Sequence, residues 1–139
     1  QIAATPKPGY RFISWSDGVT DNPRSILVTQ DTILSAHFVM LYEGKCGDDL
    51  RWKYNKGVLT ISGTGDMYNF TSTTMPWILF RDSIETISID NGVTSIGNYA
   101  FYGCNGLTSV PIPDSVKTIG DYAFAWCTSL KNINLPKVM

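Results

Sequence analysis

Apolar positions in the second half of the chain return with a fixed long period. From Ile84 onward the apolar set Ile84, Ile87 and Ile89 recurs as Leu107, Val110 and Ile112, then as Leu130, Ile133 and Leu135, a spacing of 23 residues. Identities at Val93/Val116, Ile96/Ile119, Gly97/Gly120, Tyr99/Tyr122, Ala100/Ala123, Phe101/Phe124 and Cys104/Cys127 hold the same register. A unit this short cannot bury a core alone, so successive copies must stack, with one short strand per coil. Residues 84–139 therefore read as a solenoid whose third copy, begun at Leu130, is incomplete.

Within each coil the pattern alternates with period two. If Ile87 and Ile89 point inward, Thr86 and Ser88 point outward, and so do Ser109 and Pro111 in the second coil and Asn132 and Asn134 in the third. This row of small, uncharged side chains is one candidate interaction surface. Trp126 is another, because the equivalent residue one coil earlier is Gly103, so the fold does not demand a large ring there, and tryptophan is enriched among binding hot spots. Phe101 and Phe124 are expected to be the buried spine of the stack.

Residues 1–39 carry a different rhythm. Tyr10 and Phe12, then Ile26 and Val28, then Leu34, Ala36 and Phe38 mark short strands, separated by stretches rich in Pro, Gly, Asp and Asn. Residues 40–45 read as a linker. In residues 46–83, Leu50–Tyr54 and Val58–Ser62 alternate on either side of Asn55-Lys56-Gly57, which predicts a hairpin. A solenoid exposes the apolar end of its first coil, and this hairpin is expected to lie across it as an N-terminal cap.

Two resemblances follow from these residues. Cys46-Gly47, Trp52, Leu59-Thr60-Ile61-Ser62-Gly63-Thr64-Gly65, Pro76-Trp77, and the repeated Ile96-Gly97, Ala100-Phe101, Cys104 and Ile119-Gly120, Ala123-Phe124, Cys127 make residues 46–139 similar to BspA-like leucine-rich repeat proteins. Gly9-Tyr10-Arg11-Phe12, Trp15-Ser16-Asp17-Gly18, Asn22-Pro23-Arg24 and Ala36-His37-Phe38 make residues 1–38 resemble the C-terminal half of a divergent internalin-type B repeat, a β-grasp-like surface module whose leading hairpin is absent. The resemblances imply a mainly β chain, a partial β-grasp-like module followed by a short capped solenoid. They imply an extracellular or cell-surface bacterial protein of adhesin type, binding a host or bacterial surface protein or glycan, with no catalytic residues. A structural spacer or stalk, or an accessory region of a larger surface enzyme, is the alternative. The start at Gln1 suggests a piece of a longer protein, and the open last coil suggests self-association through residues 130–139.

Composition narrows the remaining chemistry. With 11 basic and 12 acidic residues dispersed along 139, the net charge is -1, and no basic stripe suits nucleic acid. No apolar run approaches the ~20 residues of a membrane span. Cys46, Cys104 and Cys127 lack CxxC spacing, and stacked Cys104 and Cys127 are expected as buried free thiols. His37 has no cysteine or second histidine near it in sequence and reads as an exposed bystander. Asp48-Asp49 would point to opposite faces of a strand, and Asp17-Gly18 and Asp21-Asn22-Pro23 read as turns. No cofactor or metal is expected.

Overall fold

The computed structural model describes residues 1–7, 10–26 and 33–135, with Asn134 as backbone alone. The chain forms two compact units, Gln1–Leu41 and Tyr42–Met139. Both are β structures, and a single 3-10 turn at Ile78–Ser83 is the helical element among the described residues.

The first unit is built on two antiparallel strands, β1 (Tyr10–Trp15) and β2 (Ala36–Met40). Phe12 pairs with Phe38 and Ser14 with His37, so Ile13 is an extra residue on β1. Such a bulge shifts the alternation by one position. Trp15 is thereby buried, with its indole Nε1 donating to the Asp21 carbonyl at 2.8 Å, while Ile13 is exposed. The expected apolar face of Leu34, Ala36 and Phe38 is altered as well, since Ala36 and Val39 are half-buried and Phe38 is exposed. Val28 lies outside the described residues. The loop after β1 is closed by Arg24, whose Nη1 reaches both carboxylate oxygens of Asp17 at 2.9 Å. That guanidinium, together with the Val19 amide, holds the Asp17 carboxyl below its ordinary range.

The second unit is held by a six-stranded sheet in the order β11-β9-β7-β5-β4-β3 and a three-stranded sheet in the order β10-β8-β6. The members are β3 (Glu43–Lys45), β4 (Leu50–Asn55), β5 (Val58–Gly63), β6 (Gly65–Asp66), β7 (Thr86–Ile89), β8 (Val93–Ile96), β9 (Ser109–Pro111), β10 (Thr118–Ile119) and β11 (Asn132–Asn134). β5, β7, β9 and β11 run parallel, which stacks Leu59, Ile87, Val110 and Ile133 in one row. β4 and β5 form the expected hairpin, with Lys56 at φ 45° and Gly57 at φ 87° in its turn. Positive φ at both central residues is the geometry that matches the twist of a two-residue hairpin.

Two boundaries differ from the sequence reading. Glu43–Lys45, read as linker, is strand β3, paired antiparallel with Lys53–Arg51. The hairpin does not lie across the end of the stack. It extends the sheet edgewise, and β5 is itself the first rung of the parallel ladder. The apolar start of the first coil is filled instead by Trp52 and Trp77, which meet edge to face at 5.9 Å and are both buried, while Met75 is buried too and Phe80 stacks on Tyr54 at 4.2 Å. Trp77 Nε1 donates to the Ala100 carbonyl at 2.7 Å, so its buried polar atom is satisfied.

The core is lined by Leu59, Ile61, Ile87 and Val110 from one sheet and Val93 and Ile96 from the other, all buried. Its aromatic spine runs from Trp77 to Phe101 at 5.7 Å and on to Phe124 at 5.4 Å. Phe101 is fully buried, as expected. Phe124, against Phe101 on one side, is half-buried rather than buried.

Candidate functional site

The outer face of the six-stranded sheet is the broadest flat surface that the strands place in register. Leu50, Trp52, Leu59, Ile61, Ile87 and Val110 are buried, so period-two alternation sends their neighbours outward. One outward row runs Asn55, Val58, Thr86, Ser109, Asn132 across five strands. The next pairs Lys53 with Thr60 and Thr60 with Ser88, with Pro111 one coil on. Thr86, Ser88, Ser109, Pro111 and Asn132 are all exposed. The backbone of Asn134 continues the row opposite Pro111, and its side chain lies outside the described residues. The alternation thus brings together the small residues picked out from sequence.

Sequence reasoning missed part of this face. A hairpin lying across the end of the stack, as expected from sequence, would not add its outward residues to the repeat face. Because β4 and β3 continue the same sheet, Lys45, Arg51, Lys53, Thr60 and Ser62 share the face with Thr86 and Ser88. The available signal was the repeat pattern itself, since Leu59-Thr60-Ile61 has the inward-outward-inward form of Ile87-Ser88-Ile89.

Trp126 stands apart from that face, on the turn-rich side of the coil. It is 70% exposed, and its φ of 61° matches the 73° of Gly103, its counterpart one coil earlier. The glycine therefore marked a left-handed backbone, a conformation that is uncommon for a bulky residue. Tyr99 and Tyr122 share it, both at φ 58°, and their rings stack at 5.1 Å with Tyr122 62% exposed. Tyr99 and Tyr122 thus form a stacked aromatic pair that sequence reasoning did not single out as a site.

Other candidate groups are held in structural roles. Cys46 and Cys104 are buried free thiols, and burial pushes both up to about 12. Cys127 is half-buried, is also raised by burial, and donates through Sγ to the Phe101 carbonyl at 3.1 Å. A thiol kept neutral is a poor nucleophile and a poor metal ligand. His37 is exposed on β2 opposite Ser14. Asp48 accepts from the Tyr68 hydroxyl at 2.9 Å, which raises that phenol. Among the described residues no three His, Cys, Asp or Glu side chains come together as a metal site, and no helix is long and apolar enough to cross a membrane. In the first unit a hollow of about 270 Å³ is lined by Thr5, Lys7, Tyr10 and Phe38.

Comparison with known proteins agrees with this architecture. Residues 78–139 match the family model of the BspA type leucine-rich repeat region, and residues 1–40 match that of the divergent InlB B-repeat domain. A leucine-rich repeat protein from Eubacterium ventriosum ATCC 27560, solved by crystallography, is similar at a TM-score of 0.59 and 32% identity over 66% of this chain. The match covers 27% of that protein, so the chain spans about a quarter of its length. Among curated proteins none matches the chain.

Proposed function

We propose that this chain is a non-catalytic, extracellular interaction module of a bacterial surface adhesin, which engages a protein or glycan partner through the outer face of the six-stranded sheet. Leucine-rich repeat and B-repeat domains of these families are typical of surface proteins, and leucine-rich repeats are typically interaction modules rather than enzymes. The observation that carries the reading is the register: three parallel strands bury Leu59, Ile87 and Val110 while presenting Thr86, Ser88 and Ser109 on one exposed surface, with half-buried Thr60 beside them. Each added coil extends such a surface without new design, so contact area grows with the array. Dispersed titratable groups and an exposed, isolated His37 support a module without catalysis. Self-association through Ile133 and Leu135, 37% and 57% exposed, is a second contact that the same unit supports.

The test is binding of the chain to an arrayed panel of matrix proteins and glycans, repeated with Ser88→Glu/Ser109→Glu. A partner whose binding falls at least about tenfold, or 1.4 kcal/mol, in the double variant supports the face as the contact surface. Partners that bind the variant as well as the parent would overturn it, and a panel with no partner at all favours a spacer or stalk.

A further inference from the structure

The hairpin end of the sheet carries a charge arrangement that the fold does not need. On β3 and β4, Lys45 stands directly opposite Arg51 and Glu43 directly opposite Lys53, and all four are exposed. Their shared outward direction follows from Leu50 and Trp52, which are buried, and from Gly44, where a Cβ would meet the Trp52 indole at 3.1 Å. Like charges directly opposite across two strands destabilise the pair. Glu43 can offset one cation, which leaves an excess of two positive charges in a chain whose net charge is -1. Among the described residues none of the three cations forms an ion pair. Arg51 pairs across with Ser62 and Lys53 with Thr60, so a row of cations passes directly into a row of hydroxyls. Farther along, Asp90 follows Ser62 and accepts from the Gly63 amide at 3.4 Å, which bounds the cationic zone on that side.

We infer that this end of the sheet binds a linear polyanionic glycan, with its sulfate or carboxylate groups on Lys45, Arg51 and Lys53 and its hydroxyls on Thr60 and Ser62. The inference rests on the proposed reading of the outer sheet face as the contact surface. A protein partner is disfavoured at this end because protein interfaces are anchored by buried aromatic or apolar centres, and the outward residues here are three cations, the Glu43 carboxylate and hydroxyls. A hydrated polyanion needs no such anchor. Its oxyanions take charge-assisted hydrogen bonds from lysine and arginine, and its ring hydroxyls pair with threonine and serine.

The experiment is calorimetric titration of the full chain with heparin as sulfated probe, hyaluronan as carboxylate-only probe, neutral dextran, and poly-glutamate. Binding of heparin or hyaluronan that weakens with salt is expected, without binding of dextran, and the responding glycan identifies which anion is read. Lys45→Gln/Arg51→Gln/Lys53→Gln should lower that affinity at least tenfold without lowering the thermal midpoint. Removing the same charge elsewhere, as Arg11→Gln/Lys117→Gln/Lys131→Gln, should leave it within twofold. Equal losses in the two triple variants, no binding of either anionic glycan, or tighter binding of poly-glutamate would overturn the inference. A panel partner lost in Ser88→Glu/Ser109→Glu but indifferent to the three cations would overturn it while leaving the face itself as the contact surface.

Discussion

Phe101 and Phe124 occupy the same position in consecutive coils but do not carry the same energy. Phe101 is enclosed by Trp77 at 5.7 Å and Phe124 at 5.4 Å, whereas Phe124 is half-buried. Phe101→Ala should cost about 3–5 kcal/mol, the range for a fully buried phenylalanine. Phe124→Ala should cost distinctly less, and urea denaturation of the two variants side by side reads the order. The thiols add a pH dependence of defined sign. Cys46 and Cys104 are raised by burial from an ordinary 9.0 to about 12, so above pH 9 the unfolded chain gives up protons that the folded chain retains. Unfolding then becomes easier as pH rises, with stability lost progressively between about pH 9 and 12. Scanning calorimetry should show a flat thermal midpoint through neutral pH and a fall above 9, with a shallower fall in Cys46→Ala/Cys104→Ala. An equal slope in that variant would remove the thiols from the explanation.

Glycines at the joint between sheet and turn decide whether the coils can stack. A Cβ at Gly97 would strike the Tyr68 carbonyl oxygen, and one at Gly120 the Asn98 backbone amide, so the repeated Ile-Gly marks a backbone-to-backbone contact between neighbouring coils. At Gly57 a Cβ would meet only the flexible end of Glu85, at 3.3 Å. Gly97→Ala should therefore destabilise far more than Gly57→Ala, whose cost is about 1 kcal/mol of left-handed strain, and thermal melts of the two separate these cases. Repeats of this kind are legible because identical spacing forces identical contacts, and the strands at Thr86–Ile89, Ser109–Pro111 and Asn132–Asn134 lie where the 23-residue register puts them. The role of β5 was hidden by length. Val58 pairs with Thr86, a step of 28 residues rather than 23, because the extra residues lie between Phe70, whose amide still meets the Asn98 carbonyl at a step of 28, and Asp82, which meets Asn105 at the regular step of 23. A search at constant period passes over it, and with it the cationic strands that flank it. The bulge at Ile13 escaped for a related reason, since strict alternation assumes one residue per rung.

The two units differ sharply in how much apolar surface they enclose, and stability should follow. Among the described residues of Gln1–Leu41 the buried apolar side chain is Trp15 and the sheet has two strands. A two-stranded hairpin is marginal in water unless a hydrophobic face or further partners cover it. Tyr42–Met139 encloses three layers of fully buried side chains, with Leu59, Ile87 and Val110 at successive levels of one row, and in that row the cover thins at Ile133. Opening free energies in such a chain are not uniform, and the segments with the fewest buried contacts exchange first. Native-state hydrogen exchange should show amides of β1 and β2 losing protection well before those of β4, β5 and β7, with β11 intermediate between the two groups. Within the second unit, the gradient should run along the ladder, because in a stacked array each coil is secured only by its neighbours. Phe101→Ala should then accelerate exchange in β7 and β9 while leaving β1 and β2 at their parent rates. Uniform protection across both units, or acceleration of β1 by that substitution, would show that the chain opens as one cooperative body rather than by units and coils.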